Sequence, residues 1–233
     1  MKYHESNFSL DSYEEFYTDH IFKPVSLENS IQAHRLVPRV GWGLDIAKEI
    51  KAKRILDLGC LDGFNLLTLT HHLPNAIGVG VDLSSQGINL GKERAAHYNL
   101  PIEFIQSSIE EFLLTTKDKY DLVCFYEVIE HVKDVQQILG MIKNVMTDNG
   151  TLLVSTPSFE SPIYGKNDVV NKCHIRLYTT QDENYTEMTD LPDPDTGKTY
   201  LREATSLTNE LKDFRIISMD VFSELIHARV TKD

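Results

Sequence analysis

The chain has 233 residues and enough apolar side chains for one well-filled core, so one domain with appendages is the natural count. Its net charge of −12 opposes tight, sequence-independent binding to nucleic acid, whose phosphates dominate affinity. No stretch reaches the length of a membrane span, and the polar start Met1–Ser9 is no secretion signal.

Residues 1–27 are polar with interleaved aromatics, and Tyr13, Phe16 and Tyr17 have helical spacing. This segment is either a lid over a ligand or a plain cover for the core. The rest, 28–233, reads as one unit. A helix is expected from about Glu28, interrupted or kinked near Pro38 and Gly41-Trp42-Gly43. An apolar strand then ends in Asp57, a turn with Gly59 and Gly63 follows, and helical residues Phe64–Leu69 come next. Glycine lets the backbone approach a ligand closely, here at a strand's carboxyl end beside a helix N-terminus.

A second strand, Ile77–Val81, ends in Asp82, and a helix over Ser84–Tyr98 follows. An acidic residue at that distance beyond a glycine loop suits ribose hydroxyls, because a carboxylate can accept from both. A third strand spans Ile102–Gln106, and a fourth, Tyr120–Phe125, runs into Tyr126 and Glu127-Val-Ile-Glu130-His131. The fifth is Thr151–Ser155. An insertion at about 181–203 carries a strong turn signal around Pro192–Gly197. Phe214–Phe222 and Glu224–Val230 read as a closing antiparallel hairpin. Strands alternating with amphipathic stretches mean a doubly wound parallel sheet, with the loops after its strands gathered on one edge. Cys60, Cys124 and Cys173 lack metal-ligand spacing and imply a reducing, cytoplasmic setting.

Arg54–Asn65, RILDLGCLDGFN, resembles motif I of the class I S-adenosylmethionine-dependent methyltransferases. YDLVCFYEVIEHV and GTLLVSTPS resemble motifs IV and V of the same enzymes. Within them the ubiquinone-biosynthesis type O-methyltransferases, with relatives acting on sugars and natural products, are most similar over roughly Gln32–Thr179. The resemblance implies a Rossmann-like α/β fold: a doubly wound, mostly parallel seven-stranded sheet with a C-terminal antiparallel hairpin. It implies S-adenosylmethionine as cofactor, held by Asp57, Gly59, Cys60, Gly63, Asp82, Leu83, Ser107, Ser108 and Tyr126. The implied reaction is methyl transfer to a hydroxyl oxygen of a small molecule or glycan. Two positions depart from the family pattern: Leu61 replaces a glycine, and Ser108 stands where an aspartate contacts the adenine amine.

Glu127, Glu130 and His131 are spaced i, i+3, i+4 and would share one face of a helix. With His174 they resemble the metal set of small-RNA 2′-hydroxyl methyltransferases and of some ubiquinone-pathway enzymes. Two carboxylates and imidazole suit a divalent ion such as Mg²⁺. Other roles stay open. His131, with Glu127, is the candidate catalytic base; Glu127 can also meet the cofactor's amino group, and His174 and Arg176 a carboxylate or sugar. Two further readings are a binding protein that has lost catalysis, favoured by Leu61 and Ser108, and an RNA 2′-O-methyltransferase, opposed by the charge. A nicotinamide dehydrogenase needs Gly-x-Gly-x-x-Gly, which Gly59-Cys60-Leu61 breaks.

Overall fold

The computed structural model describes residues 26–167, 174–192 and 197–232. The expected lid or cover lies almost wholly outside them, as does Cys173. Two short 3₁₀ turns, Asn29–Ile31 and Ala33–Arg35, lead to helix α1 (Pro38–Glu49). The helix expected from Glu28 therefore begins only at Pro38. Proline takes the first helical position, where its missing N–H is no loss. Gly41 and Gly43 do not interrupt α1; a Cβ at Gly43 would strike the Tyr126 hydroxyl beneath it.

The next elements alternate: β1 (Arg54–Leu58), α2 (Phe64–His72), β2 (Ile77–Asp82), α3 (Ser85–His97), β3 (Ile102–Gln106) and α4 (Ile109–Thr115). They continue as β4 (Tyr120–Tyr126), α5 (Val135–Val145) and β5 (Met146–Pro157). Side chains stop the fraying of several helix starts: Ser84, Ser108 and Asp134 each accept from the amide three residues on, at 3.1, 3.1 and 3.0 Å.

A second, smaller sheet of β6 (Leu177–Thr179), β7 (Tyr185–Met188) and β8 (Leu201–Ser206) comes next, in the order β6-β8-β7. The expected insertion is thus a hairpin, β7 with β8, widened by β6 running parallel to β8. Helix α6 (Leu207–Glu210) leads to the hairpin β9 (Phe214–Phe222) and β10 (Leu225–Lys232). The main sheet has seven strands in the order β3-β2-β1-β4-β5-β10-β9. It is parallel except for β10, antiparallel to both neighbours.

The core lies on both faces. Leu44, Ala47, Ile55, Leu66, Leu122 and Leu153 pack under α1 and α2. Val123, Phe125, Ile138, Ile142, Val154 and Ile226 fill the side of α5. No described helix is long and apolar enough to cross a membrane.

Asp62 in the glycine turn and Arg94 on α3 form an ion pair with side chains 3% and 4% exposed. Burial raises the Asp62 pKa and Arg94 pulls it back. Arg94→Met strands a buried charge, and a loss of about 3–5 kcal/mol is expected from urea unfolding. The double change Asp62→Ala/Arg94→Met should recover part of it. A double variant no better than the single one would show that the pair matters by packing alone.

Candidate active site

The loops after β1, β2, β4 and β5 meet at one sheet edge, and the first is shaped by its backbone. Gly59 and Gly63 have φ of +76° and +72°, the left-handed region that favours glycine. A Cβ on Gly59 would strike Val128, and one on Gly63 would strike Phe104. The Gly59 and Cys60 amides both donate to the Val81 carbonyl, at 2.8 and 3.1 Å, which binds the loop to β2. Cys60 itself is buried.

Leu61 follows the same left-handed path, with φ +48°, at a strain of order 1–2 kcal/mol. Asp82 offsets that strain. Its Oδ2 accepts from the Leu61 amide and its Oδ1 from the Ser84 amide, both at 2.8 Å. Burial raises the Asp82 pKa, while the Ser84, Leu61 and Leu83 amides oppose the rise. The departure at Leu61 therefore leaves the loop turned, and Asp82 is the clasp that holds it.

Beyond β3, Ser108 Oγ caps α4 through Glu111 and Ser107 Oγ donates to the Ser108 carbonyl at 3.0 Å. Gln106 Nε2 donates to the Leu83 carbonyl at 3.2 Å, joining the second and third loops.

Asp57, at the end of β1, is 1% exposed, and neither carboxyl oxygen has a hydrogen-bond partner among the described residues. Burial pushes its pKa up to about 7, the Arg39 guanidinium pulls it down and Asp82 pushes it up. Arg39 stands near the start of α1, over the Phe64 ring at 5.6 Å, and its buried Nε has no partner among the described residues. The Asp57 carboxyl thus keeps unfilled acceptor capacity beside the glycine loop, with Asn65 next to it and the Arg39 charge acting on it.

At the end of β4, Tyr126 is buried and Glu127 takes φ +55°. Glu127 N donates to the Ser155 carbonyl at 2.9 Å, and Glu127 Oε1 accepts from Ser155 Oγ at 2.7 Å. A single 3₁₀ turn follows at Ile129–His131. The expectation that Glu127, Glu130 and His131 share a helical face is therefore corrected: the left-handed kink turns Glu127 towards Ser155. Glu130, His131 and His174 do converge, with donor atoms all within 4.8 Å of one another.

Their convergence is held from several sides. The Ile175 amide donates to the Glu130 carbonyl at 2.9 Å, carrying His174 in. Its ring centroid lies 5.0 Å from that of His131. Arg176 donates to the Val132 carbonyl and, at 2.7 Å, to that of Lys133. Glu130 is 1% exposed, accepts from Thr156 Oγ1 at 3.1 Å, and keeps Oε1 without a partner among the described residues. Burial, then the Glu127 charge, raises the Glu130 pKa. Burial also raises that of Glu127. His174 is depressed to about 3 by burial and by His131.

Residues 49–192, more than half of the chain, match the model of the methyltransferase domain family. The chain belongs to that family. It is 30% identical over 145 residues to the ubiquinone biosynthesis O-methyltransferase of Pasteurella multocida, covering 58% of this chain and 56% of that protein. The Glaesserella parasuis enzyme of the same name is 29% identical over 139 residues, covering 58% and 55%. The chain thus spans about half the length of the curated relatives it matches. A solved S-adenosylmethionine-dependent methyltransferase from Clostridium acetobutylicum superposes with a TM-score of 0.57 at 17% identity, covering 95% of this chain and 98% of that one. At that identity the likeness shows a shared fold.

Within this methyltransferase domain, reading the sequence missed Arg39. It lies before the motif-bearing stretch, and only the packing of α1 over the sheet brings it to Asp57. The one local signal was a lone arginine directly after the proline that opens a helix. The Asp62–Arg94 pair was missed for the same reason, since nothing local links a loop aspartate to a helical arginine.

Proposed function

We propose that the chain transfers a methyl group from S-adenosylmethionine to a hydroxyl oxygen of a small molecule or glycan. The observation carrying this reading is that the Glu130–His131–His174 cluster lies on the same sheet edge as the glycine loop. In this reading Asp57 accepts from the cofactor's ammonium and Arg39 donates to its carboxylate. Gly59, Cys60 and Gly63 let the backbone lie against it, Asp82 and Leu83 meet the ribose, and Ser107 and Ser108 face the adenine. Tyr126 and Glu127 flank the sulfonium.

The sulfonium is already a good electrophile, so the protein's task is an in-line approach and a deprotonated nucleophile. The acceptor oxygen bonds to the methyl carbon as the carbon–sulfur bond breaks, leaving the neutral thioether of S-adenosylhomocysteine. Where no ion is bound, the hydroxyl proton passes to His131. Glu130, His131 and His174 also fit a divalent cation, because their donors converge and Glu130 Oε1 has no other partner among the described residues. Such an ion would lower the acceptor hydroxyl's pKa. Its ligands would be these three residues, without Glu127.

Calorimetric titration with S-adenosylhomocysteine tests the donor half of this reading. Micromolar affinity, roughly −8 kcal/mol, is expected for the wild type. Arg39→Met should weaken it by about tenfold or more, the scale of a lost charge-assisted contact. No binding by the wild type would leave a methyltransferase fold serving as a binding protein.

A further inference from the structure

His227 belongs to no part of the chemistry just described, yet it is built like a recognition group. It pairs with Ser155 across β10 and β5, and Ser155 pairs with Tyr126 across β5 and β4. Directly paired residues put their side chains on the same face of a sheet. Tyr126, Ser155 and His227 therefore form one polar row beneath α1, at the carboxyl edge of the parallel strands. Ser155 is already tied to Glu127.

The imidazole is fully buried. It stacks on Phe222, with centroids 3.6 Å apart and planes 5° from parallel, and meets the Trp42 ring at 5.3 Å. Nδ1 lies 3.2 Å from the Leu225 carbonyl, which as an acceptor fixes the proton on Nδ1. Nε2 is then a bare acceptor, and it has no hydrogen-bond partner among the described residues. A buried polar atom without a partner costs about 1–3 kcal/mol, so such atoms are rare outside functional sites. Trp42 and Phe222, the rings packed on it, are themselves partly exposed.

We propose that His227 is a specificity-determining residue for the methyl acceptor, its Nε2 accepting a hydrogen bond from a second donor group on that molecule. The inference rests on the small-molecule reading above. The acceptor would carry at least one hydroxyl or N–H besides the hydroxyl that is methylated. It would reach Nε2 by displacing the partly exposed Trp42 and Phe222 rings.

Phenol, catechol, resorcinol and hydroquinone share one ring and differ only in a second hydroxyl, which makes them suitable probes. The full chain would be assayed with S-adenosylmethionine against each, beside His227→Met and His227→Gln. Wild type is expected to favour at least one diol over phenol by about tenfold in kcat/KM, the scale of one buried hydrogen bond. His227→Met should erase that preference through KM, with kcat and S-adenosylhomocysteine affinity within about twofold. His227→Gln, which keeps an acceptor near the Nε2 position, should restore it. A preference surviving in His227→Met would overturn the proposal and leave a structural imidazole. Turnover of none of the probes, with S-adenosylhomocysteine still bound, would overturn both the small-molecule reading and this inference. Failure to bind S-adenosylhomocysteine would overturn the donor reading and, with it, the role of His227 towards a methyl acceptor.

Discussion

At pH 8 the Asp57→Asn protein should melt at a higher temperature than wild type, yet bind S-adenosylhomocysteine roughly 100-fold more weakly, a loss of about 2.7 kcal/mol. Both effects come from one buried carboxyl. Its pKa is about 7 in the folded chain, held up chiefly by burial, against an ordinary value of 3.8. Below 3.8 the group is protonated whether the chain is folded or not, and it contributes no pH-dependent term. Between 3.8 and 7 the unfolded chain ionises it while the folded chain keeps the proton. Stability therefore falls as pH rises through that window, by on the order of 4 kcal/mol in all.

Asparagine escapes this loss, so the gap in melting temperature between the two proteins should shrink as pH is lowered towards 4. Ligand affinity moves the opposite way, because the ammonium of S-adenosylhomocysteine favours the ionised carboxylate. Binding at pH 6 should release a proton, detectable as a dependence of the calorimetric heat on the buffer's ionisation enthalpy. Equal affinities of Asp57→Asn and wild type at pH 8 would remove Asp57 from the cofactor site.

Glu130→Gln should lower methyl transfer by at least about 100-fold, the lower range for loss of a positioned acid–base or metal-activating group. Binding of S-adenosylhomocysteine should stay within about twofold of wild type, since the proposed function gives Glu130 to the acceptor and not to the cofactor. Prolonged dialysis against a chelator should reproduce the same split: lost turnover, retained cofactor binding. Added Mg²⁺ or Mn²⁺ should restore the dialysed wild type but not Glu130→Gln. Full turnover after dialysis would assign deprotonation to His131 alone. The assay uses whichever diol probe the wild type turns over.

The parts of this molecule legible in its sequence are those where local chemistry decides. Strand β3 has the bounds expected from its pattern of apolar Ile102, Phe104 and Ile105, namely Ile102–Gln106. The glycine loop was readable because Gly59 and Gly63 adopt backbone angles that other residues avoid. The closing hairpin was readable from two β-rich runs with a short connection. Where distant segments meet, the sequence was silent. β6 pairs in parallel with β8 across a stretch that holds β7, so no short-range pattern announces it. The spacing of Glu127, Glu130 and His131 suggested one helical face, but the left-handed Glu127 broke the periodicity on which that reading depends. Arg39 reached the site through the path of α1, which began later than the pattern implied because Pro38 opens it rather than kinks it.

The smaller sheet also bears on how such a chain can diversify. Among the described residues its three strands pair with one another, and the Ser158–Tyr178 bridge links them to the end of β5. Around that bridge one side chain gathers the attachments: Glu160 accepts from Ser158 at 2.6 Å, from Thr179, and from Tyr185 at 3.0 Å. The anchor is at the β6 end: Tyr178 is buried in the core beside α5, and Ile175 and Arg176 hold the lead-in to β6 against the loop after β4. Strand β7, at the far edge of the small sheet and mostly exposed, can therefore change its side chains while that anchor is inherited unchanged.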